Sequence, residues 1–455
     1  MRGQPPQGIK RKRDRDIALS VLETIVKKMK PNNIEIKQTV NTDPNFFEES
    51  GRPVKYDENV MKFALTLRGY STKAYNFVRE TFDDALPSNT TLNRHLSKLN
   101  SGPGFKNGPF DVIRRRFETM GFLPLSVSVD DISIREHVQL LGNNLYGHED
   151  QGEGPGPQVA THAMVIMCTN VFEAWKIPLS YFLIGNSFSG MQRAKLVDEA
   201  IMRLKETGAI ITNIVCDNTA VNITMLKILG ADISHENLNP VLSIKNVDGS
   251  QIYAYMDPPH LLKLTRNTLG DYKVLIDGEG RKIEWTYIMN LHRLQQETQI
   301  HLCNKLKKPH VAFRKNPMSV KLAAQTLSKS VADSLQFCCT DLRLPEFANA
   351  EATVDFITCF DLLFDVMNSR SRREQYSKAV LRESNKHIWM ETLRKASIYI
   401  QGLKHAEGTP VLHGRRKAAF LGWLLNIDTL KRMFFTLVTT GPLYFLATYK
   451  LSQGK

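Results

Sequence analysis

At residue 124 the hydrophobic pattern of the chain changes from the 3.6-residue period of helices to the 2-residue period of strands. In "PLSVSVD" the apolar residues Leu125, Val127 and Val129 alternate with small or polar ones, and the predicted strand ends at Asp130. Six further elements are predicted in chain order: strands "VATHAMVIMCTNV" and "WKIPLSYFLIG", helix "GMQRAKLVDEAIMRLKETG", strand "AIITNIVCDN", helix "TAVNITMLKILG" and strand "SQIYAYMDPPH".

This order of strands and helices is that of the ribonuclease H-like fold, a mixed α/β layer structure. Residues 270–400 and 416–449 instead show mainly helical spacing. The sequence therefore predicts an α/β fold, with an RNase H-like mixed sheet, a large all-α insertion domain and an N-terminal helical region. The predicted domains are a disordered basic arm with a short helix at 1–54, a helical region at 55–119, the core in two parts at 120–268 and 401–455, and the insertion at 269–400.

The N-terminal helical region has short helices, tight turns and basic outer faces. Within "LPSNTTLNRHL", Ser88 or Asn89 would cap a helix that carries Leu92. These features are typical of a helix-turn-helix DNA-binding module, and a plain helical bundle fits them equally well.

The charge of the chain favours a polyanionic partner, most commonly nucleic acid. The formal net charge is +14 over 455 residues, and the pI is near 9.4. The basic run "KRKRDR" at 10–15 predicts a nuclear-import or phosphate-contacting patch, with a solvated tail as the alternative. A basic protein without a nucleic-acid partner remains the alternative for the whole chain.

Cysteine spacing and hydropathy exclude several classes of protein. The six cysteines form no C-x-x-C pair, so a structural zinc site is not expected. No apolar N-terminal run resembles a secretory signal, and free thiols fit a nuclear or cytosolic protein. The apolar stretch "MFFTLVTTGPLYFLATY" is interrupted by Gly441-Pro442 and predicts a buried helix pair rather than a membrane span.

Two carboxylates are the main chemical signal. Asp130 and Asp217 each follow a predicted strand, and the two strands are neighbours in an RNase H-like sheet. Facing carboxylates bind Mg²⁺ or Mn²⁺, and two such ions can activate a water or 3′-hydroxyl and stabilise the leaving oxygen of a phosphodiester. A single strand-end Asp is more often a cap or turn residue, and Asp131 is the alternative to Asp130 on the opposite side of its strand.

The densest polar motif is "DPPHLLKLTRN". Asp257 ends a strand, two prolines set the turn, and His260, Lys263 and Arg266 follow at helical spacing. His260 is a candidate ligand or phosphate contact, with a structural role as the commoner alternative. Lys263 and Arg266 would line a DNA channel or lie on a solvated helix face.

Together these motifs resemble the P-element transposase family, including its domesticated THAP-type relatives. The matching segments follow the family order over about 55–453: "SVSVDDISIR", "NIVCDNTAVNITMLKILG", "YMDPPHLLKLTRN", "HLCNKLKKPHVAF", "MSVKLAAQTLSKSVADSL", "LFDVMNSR" and "GRRKAAFLGWLLNIDTLKRM". The resemblance implies a nuclear DDE/D transposase that cuts and joins DNA by two-metal chemistry. It also implies a helix-turn-helix region that binds DNA and an insertion domain that binds GTP as a cofactor for synapsis. The expected partners are DNA, GTP and, as an open question, further copies of the chain.

The resemblance also assigns site residues. Asp130 and Asp217 fall on the first two catalytic acids of the family. The GTP contacts that the family pattern implies are Lys305, Ser319, Val320, Ser328, Asp365 and Asn368. An Asp three residues before an Asn can accept from guanine N1–H and N2–H₂, although the spacing alone describes an ordinary polar helix face. Ser319 stands where the family often has Lys, which puts one phosphate contact in question.

Two departures from the family shape the expected function. No Cys precedes Cys168, so the THAP zinc finger common in the family is expected to be absent. After "TYKLSQ" the family continues with Asp-His-Leu-Glu, whose Glu is the third catalytic acid, whereas this sequence reads Gly454-Lys455. The expectation is a truncated transposase that is inactive as written. The alternatives are a non-catalytic DNA-binding or regulatory remnant of a transposase and an incomplete gene sequence of a whole enzyme.

Overall fold

A computed structural model describes residues 56–82, 84–96, 102–141, 144–299, 302–303, 305–371 and 376–453. The chain divides into two compact units, Met1–Ser101 and Gly102–Lys455. The basic run at 10–15 and the short helix expected within 1–54 lie outside the described residues.

The first unit contains helices α1 (Glu58–Tyr70), α2 (Thr72–Thr81) and α3 (Asn89–Leu96). Ser71 separates α1 from α2 and caps α2, since its hydroxyl accepts the N–H of Ala74 at 3.1 Å. The predicted cap of α3 is confirmed at Ser88, whose hydroxyl accepts the N–H of Thr91 at 3.1 Å. Side chains from all three helices form a small core: Met61, Ala64, Leu67, Tyr75, Val78 and Leu92.

The second unit is built on a seven-stranded mixed sheet with the strand order β1-β6-β5-β2-β7-β9-β8. Its strands are β1 (Gly104–Phe105), β2 (Pro124–Ser133), β5 (His162–Asn170), β6 (Lys176–Ile184), β7 (Ile210–Cys216), β8 (Val241–Lys245) and β9 (Gln251–Met256). A separate hairpin pairs β3 (Gln139–Leu141) with β4 (Asn144–Tyr146). Strands β2, β7 and β9 are parallel neighbours, and the other pairs in the large sheet are antiparallel. The predicted mixed α/β class is confirmed.

Helices α4 (Asn107–Met120), α5 (Gly190–Lys205) and α14 (Lys417–Phe434) pack on this sheet. Helix α6 (Ala220–Ile228) packs against α5, and helix α7 (Pro258–Tyr272) packs against α14. Helix α5 ends at Lys205 and Gly208 follows at φ +84°, which fits the predicted stop. The edge strand β8 was not predicted, because "VLSIK" is too short to show a clear period.

The predicted all-helical block contains α8 (Trp285–Thr298), α9 (Lys308–Val311), α10 (Val320–Thr326), α11 (Lys329–Gln336), α12 (Glu351–Met367) and α13 (Lys386–Gly402). The block is not purely helical, however. Three short strands form a second sheet: β10 (Val274–Ile276), β11 (Lys282–Glu284) and β12 (Lys404–His405). Strands of two or three residues are too short to show a hydrophobic period, so the sequence pattern does not predict them.

The expected buried helix pair near the C-terminal end is only one helix. Helix α14 continues as a π-helical turn over Phe435–Thr439, and the chain then turns at Gly441 and Pro442. Leu446 forms an isolated β-bridge with Leu381, and a 3₁₀ helix spans Thr448–Leu451. In the described part of the chain, no helix has the length and apolar character needed to cross a membrane.

Helix α14 is joined to strand β9 by a side-chain amide that takes the place of a neighbouring strand. Strand β8 pairs with β9 only as far as Tyr253, so the end of β9 needs other partners. The Asn426 amide accepts the N–H of Met256 and donates to its C=O, both at 2.7 Å. The Thr429 hydroxyl donates to the C=O of Ala254 at 2.7 Å. These buried bonds connect segments about 170 residues apart in sequence.

We expect Asn426→Leu to destabilise the protein by roughly 2–6 kcal/mol, because it leaves two buried backbone groups unpaired at roughly 1–3 kcal/mol each. Thr429→Val leaves only one acceptor unpaired and should cost less. Urea unfolding followed by circular dichroism measures both variants against the unmodified chain. Equal stability of Asn426→Leu and the unmodified chain would contradict the strand-substitute role.

Candidate active site

Three aspartates lie where the parallel pairing of β2, β7 and β9 ends. The register pairs Val129 of β2 with Cys216 of β7, and Cys216 with Met256 of β9. An aspartate comes next in each case: Asp217 and Asp257 follow β7 and β9, whereas Asp130 lies within β2, which continues to Ser133 instead of ending at Asp130 as predicted. Parallel strands bring their carboxyl ends to one edge of a sheet, so the structure brings the two predicted acids to the same edge together with Asp257.

The two predicted acids have different environments. Asp130 is exposed, and its Oδ1 accepts the N–H of Asp131 at 2.9 Å. Asp217 is half-buried, and its Oδ1 accepts from Asn222 Nδ2 at 2.6 Å and from the N–H of Thr219 at 3.2 Å. Both of these hydrogen bonds to Asp217 are therefore accepted by Oδ1.

Asp257 is buried and holds two backbone segments. It caps α7, since its Oδ2 accepts the N–H of His260 at 3.2 Å, and its Oδ1 accepts the N–H of Gln453 at 3.1 Å. Burial raises its pKa to about 6, although the two N–H donors and Lys263 oppose the rise. The nearby charge of Asp130 adds to the increase. Both carboxylate oxygens of Asp257 thus accept hydrogen bonds from backbone N–H groups.

Asp131, the alternative to Asp130, is held in an ion pair. Arg193 on α5 donates to both of its carboxylate oxygens, at 2.9 and 2.5 Å. The Arg193 side chain is only 8% exposed and that of Asp131 is 28% exposed, so this bidentate pair is partly shielded from water. The pair commits Asp131 to a structural contact, which leaves Asp130 as the candidate acid of β2.

The predicted DNA contacts on α7 have unequal access to solvent. His260 is half-buried, and burial lowers its pKa, with Lys263 adding to the shift and Asp217 opposing it. His260 and Lys263 thus lie within electrostatic reach of the carboxylates. Lys263 is buried, however, so it lies neither on a solvated helix face nor on the surface of a DNA channel as predicted. Arg266 is buried, and its guanidinium donates to Asn267 Oδ1 at 2.7 Å and to the C=O of Pro317 at 3.1 Å. A phosphate cannot reach this position, so the prediction of Arg266 as a DNA contact is wrong.

Carboxylate oxygens at a sheet edge fit Mg²⁺ or Mn²⁺, which prefer hard ligands. Asp130 and Asp217 are the residues that could hold such an ion here. Within the described ranges, no group of three or more His, Cys, Asp or Glu side chains is close enough to bind a metal ion. The three aspartates share an edge, but in this arrangement they do not form a closed three-carboxylate cage.

The predicted guanine-reading residues lie at the end of α12. Asp365 is half-buried, and its Oδ2 accepts from the Ser377 hydroxyl at 3.3 Å and lies 3.9 Å from Lys378 Nζ. Asn368 is the C-cap of α12, and its N–H donates to the C=O of Asp365 at 3.3 Å. The two side chains therefore lie at one end of one helix.

The other predicted GTP contacts lie on nearby elements. Ser319 and Val320 begin α10, where Ser319 is the N-cap, and Ser328 is the N-cap of α11. The N–H of Lys329, the first residue of α11, donates to Asp361 of α12 at 3.1 Å. Burial raises the pKa of Asp361 to about 6, and the charge of Asp365 adds to the rise. This bond links the start of α11 to α12 one turn before Asp365. Lys305 is exposed in a turn, on a separate segment.

Sequence reasoning missed Arg193, Asn222 and Asp361. One signal was available for Arg193, because it lies on the buried stripe of α5 with Gly190 and Val197. A charged residue on an apolar helix face indicates a buried partner. The partners themselves come from distant segments, and no local pattern identifies them.

Three family models match the chain. "Transposable element P transposase-like, HTH domain" matches residues 14–95, "TNP-like, RNase H N-terminal domain" matches 101–230, and "TNP-like, GTP-binding insertion domain" matches 259–380. The matched ranges together cover most of the chain, and the second confirms the predicted RNase H-like core.

Two curated proteins and one solved structure are also similar. The human DNA transposase THAP9 is 27% identical over 411 residues, which are 88% of this chain and 45% of that protein. The transposable element P transposase of Drosophila melanogaster is 22% identical over 332 residues, which are 72% of this chain and 41% of that protein. The chain thus spans less than half the length of either relative.

The solved structure, a Drosophila P element transposase strand transfer complex, aligns with a TM-score of 0.70 at 20% identity. The alignment covers 96% of this chain and 90% of the other, which establishes the shared fold. Motif order, family models, relatives and fold agree, and the chain belongs to the P-element transposase family.

Proposed function

We propose that this chain carries the DNA-binding region and the first two catalytic acids of a P-element-like transposase that acts on DNA in the nucleus, with GTP as a cofactor. The observation that carries the proposal is the strand register, which places Asp130 of β2 and Asp217 after β7 at the same edge of the RNase H-like core. DNA would be the substrate, and the net charge of +14 supports a polyanionic partner.

Asp130 and Asp217 would hold a divalent ion between them. Such an ion supplies Lewis-acid activation of a water or 3′-hydroxyl and stabilises charge on the leaving oxygen of a phosphodiester. The chain itself orients the two carboxylates through Asp131 N–H and Asn222. His260, half-buried beside the acids, is suited to contact the scissile phosphate.

A second candidate is a non-catalytic DNA-binding or regulatory derivative of a transposase. The environment of Asp257 favours it, because both oxygens of this third acid accept backbone N–H groups. With two carboxylates available, we expect the chain to bind one ion and to lack strand cleavage. Two-metal chemistry needs a further hard ligand for the second ion.

GTP would bind between the end of α12 and the starts of α10 and α11. The support is the match to a GTP-binding insertion domain and the bond from Lys329 N–H to Asp361, which brings α11 to α12. Asp365 and Asn368 would read the guanine edge, while Lys305, Ser319, Val320 and Ser328 would lie toward the rest of the nucleotide.

We expect duplex DNA to bind mainly through its phosphates, with affinity falling roughly 10³- to 10⁵-fold between about 50 and 200 mM salt if about 6–10 phosphates are contacted. Arg94→Gln on α3 should weaken binding and reduce the salt slope by about 1. Arg394→Gln is the control, an exposed arginine on α13 paired with Glu391. Fluorescence anisotropy measures both, and a flat salt dependence would count against phosphate-driven binding.

We expect the chain to bind Mn²⁺ and Asp217→Asn to weaken that binding at least about tenfold, since one hard ligand is lost. Electron paramagnetic resonance measures free Mn²⁺ directly. The same proteins should show no cleavage of plasmid or oligonucleotide DNA with Mn²⁺. Cleavage that requires both Asp217 and Asp257 would instead make Asp257 the third ligand and reject the non-catalytic candidate.

We expect GTP to bind more tightly than ATP and Asp365→Asn to erode that preference by roughly 1–3 kcal/mol per lost hydrogen bond. Asp355→Asn is a matched control on the same helix, because Asp355 is half exposed and pairs with Arg281. Calorimetry with both nucleotides measures the effect. Failure to bind GTP would reject this site, and weak binding without base preference would implicate Ser319.

A further inference from the structure

We propose that Arg193 and Asn222 are positioning residues that hold Asp130 and Asp217 in a fixed relation for divalent-ion binding. This inference rests on the proposed function of the two acids. Its starting point is the ion pair between the buried Arg193 and the half-buried Asp131, in which the planar guanidinium faces both carboxylate oxygens. The bidentate geometry fixes the orientation of both side chains.

The same guanidinium also reaches Asn222. Arg193 Nη1 lies 3.4 Å from Asn222 Oδ1, and Asn222 Nδ2 donates to Asp217 Oδ1 at 2.6 Å. A guanidinium has only donors and an ionised carboxylate has only acceptors. Only one orientation of the amide satisfies both neighbours, so the position of Arg193 determines which side of Asn222 faces Asp217.

The other end of this network reaches Asp130. Asp131, held by Arg193, donates its backbone N–H to Asp130 Oδ1 at 2.9 Å. One guanidinium therefore connects to both acids, through Asp131 on one side and through Asn222 on the other. Asp130 and Asp217 each accept these bonds on Oδ1. The network therefore sets the orientation of each carboxylate group.

Close packing of α5 on α6 fixes the base of the network. A Cβ at Gly190 would lie 2.7 Å from the C=O of Val221 and 2.8 Å from Thr224 Cβ, so only glycine permits this approach. Ser189 and Gln192 form a capping box at the same end of α5. Arg193 follows directly and is thereby held opposite Asn222.

The test measures Mn²⁺ affinity of the full chain by electron paramagnetic resonance, with thermal unfolding in parallel. Outer-shell partners of metal ligands typically change affinity about 10- to 100-fold, and we expect a loss in this range for Arg193→Lys and for Asn222→Ala. Arg203→Lys is the matched control, because Arg203 lies on the same helix in an exposed pair with Glu199. It should leave Mn²⁺ affinity unchanged.

The double variant separates positioning from general destabilisation. If Arg193 acts through Asn222, Arg193→Lys combined with Asn222→Ala should weaken Mn²⁺ binding no more than the stronger single variant. Folded single variants with unchanged Mn²⁺ affinity would overturn the inference. Asn222→Ser is the substitute should Asn222→Ala fail to fold. Absence of Asp217-dependent Mn²⁺ binding in the unmodified chain would instead reject the proposed function itself.

Discussion

The bond between the Asn426 amide and the backbone of Met256 is the contact on which the organisation of the second unit depends. Strand β9 is an outer strand of the parallel set, and on the side away from β7 its carboxyl end has no strand partner, because β8 pairs with it only as far as Tyr253. Helix α14 supplies the missing donor and acceptor from a segment that follows the whole helical block. The backbone N–H and C=O groups at the end of β9 must be paired. Their partner on α14 follows a long insertion in the sequence, so the pairing closes a long loop. Buried hydrogen bonds from a side-chain amide to the backbone fix the position of a helix on a strand more specifically than apolar packing does.

The end of β9 held by Asn426 is also where the candidate site begins. Met256 is followed by Asp257, which caps α7 and accepts the N–H of Gln453. The side chain of Gln453 donates to the C=O of Val129, the residue before Asp130, at 2.6 Å. Contacts that complete the sheet therefore also fix the backbone next to two of the three aspartates. Stability of the core and geometry of the site are coupled through these few polar bonds.

The sequence was informative where a local pattern carries the physical signal. Alternating residues predicted β2, and the aspartates at strand ends could be placed because parallel strands share an edge. The sequence does not predict contacts between residues that lie far apart along the chain. The partners of Arg193 lie 62 and 29 residues away, and those of Asn426 lie 170 residues away. Arg266 follows a polar pattern typical of an exposed helix face, yet it is buried against the segment at Pro317. Strands of two or three residues, such as β10, have no period to detect.

Three aspartates at equivalent positions on adjacent strands differ mainly in what donates to them. Asp257 accepts two backbone N–H groups and is buried, so its carboxylate is used in holding a helix start and a neighbouring segment. Asp130 is exposed and accepts the N–H of Asp131, while Asp217 accepts on Oδ1 from an oriented amide and a backbone N–H. Exposed or half-buried carboxylates oriented by such donors are suited to a divalent ion, whereas an acid with both oxygens bonded to the backbone is suited to a cap. The roles of chemically identical residues are thus separated by their hydrogen-bond donors, and Arg193 is the side chain that connects the donors of Asp130 and Asp217.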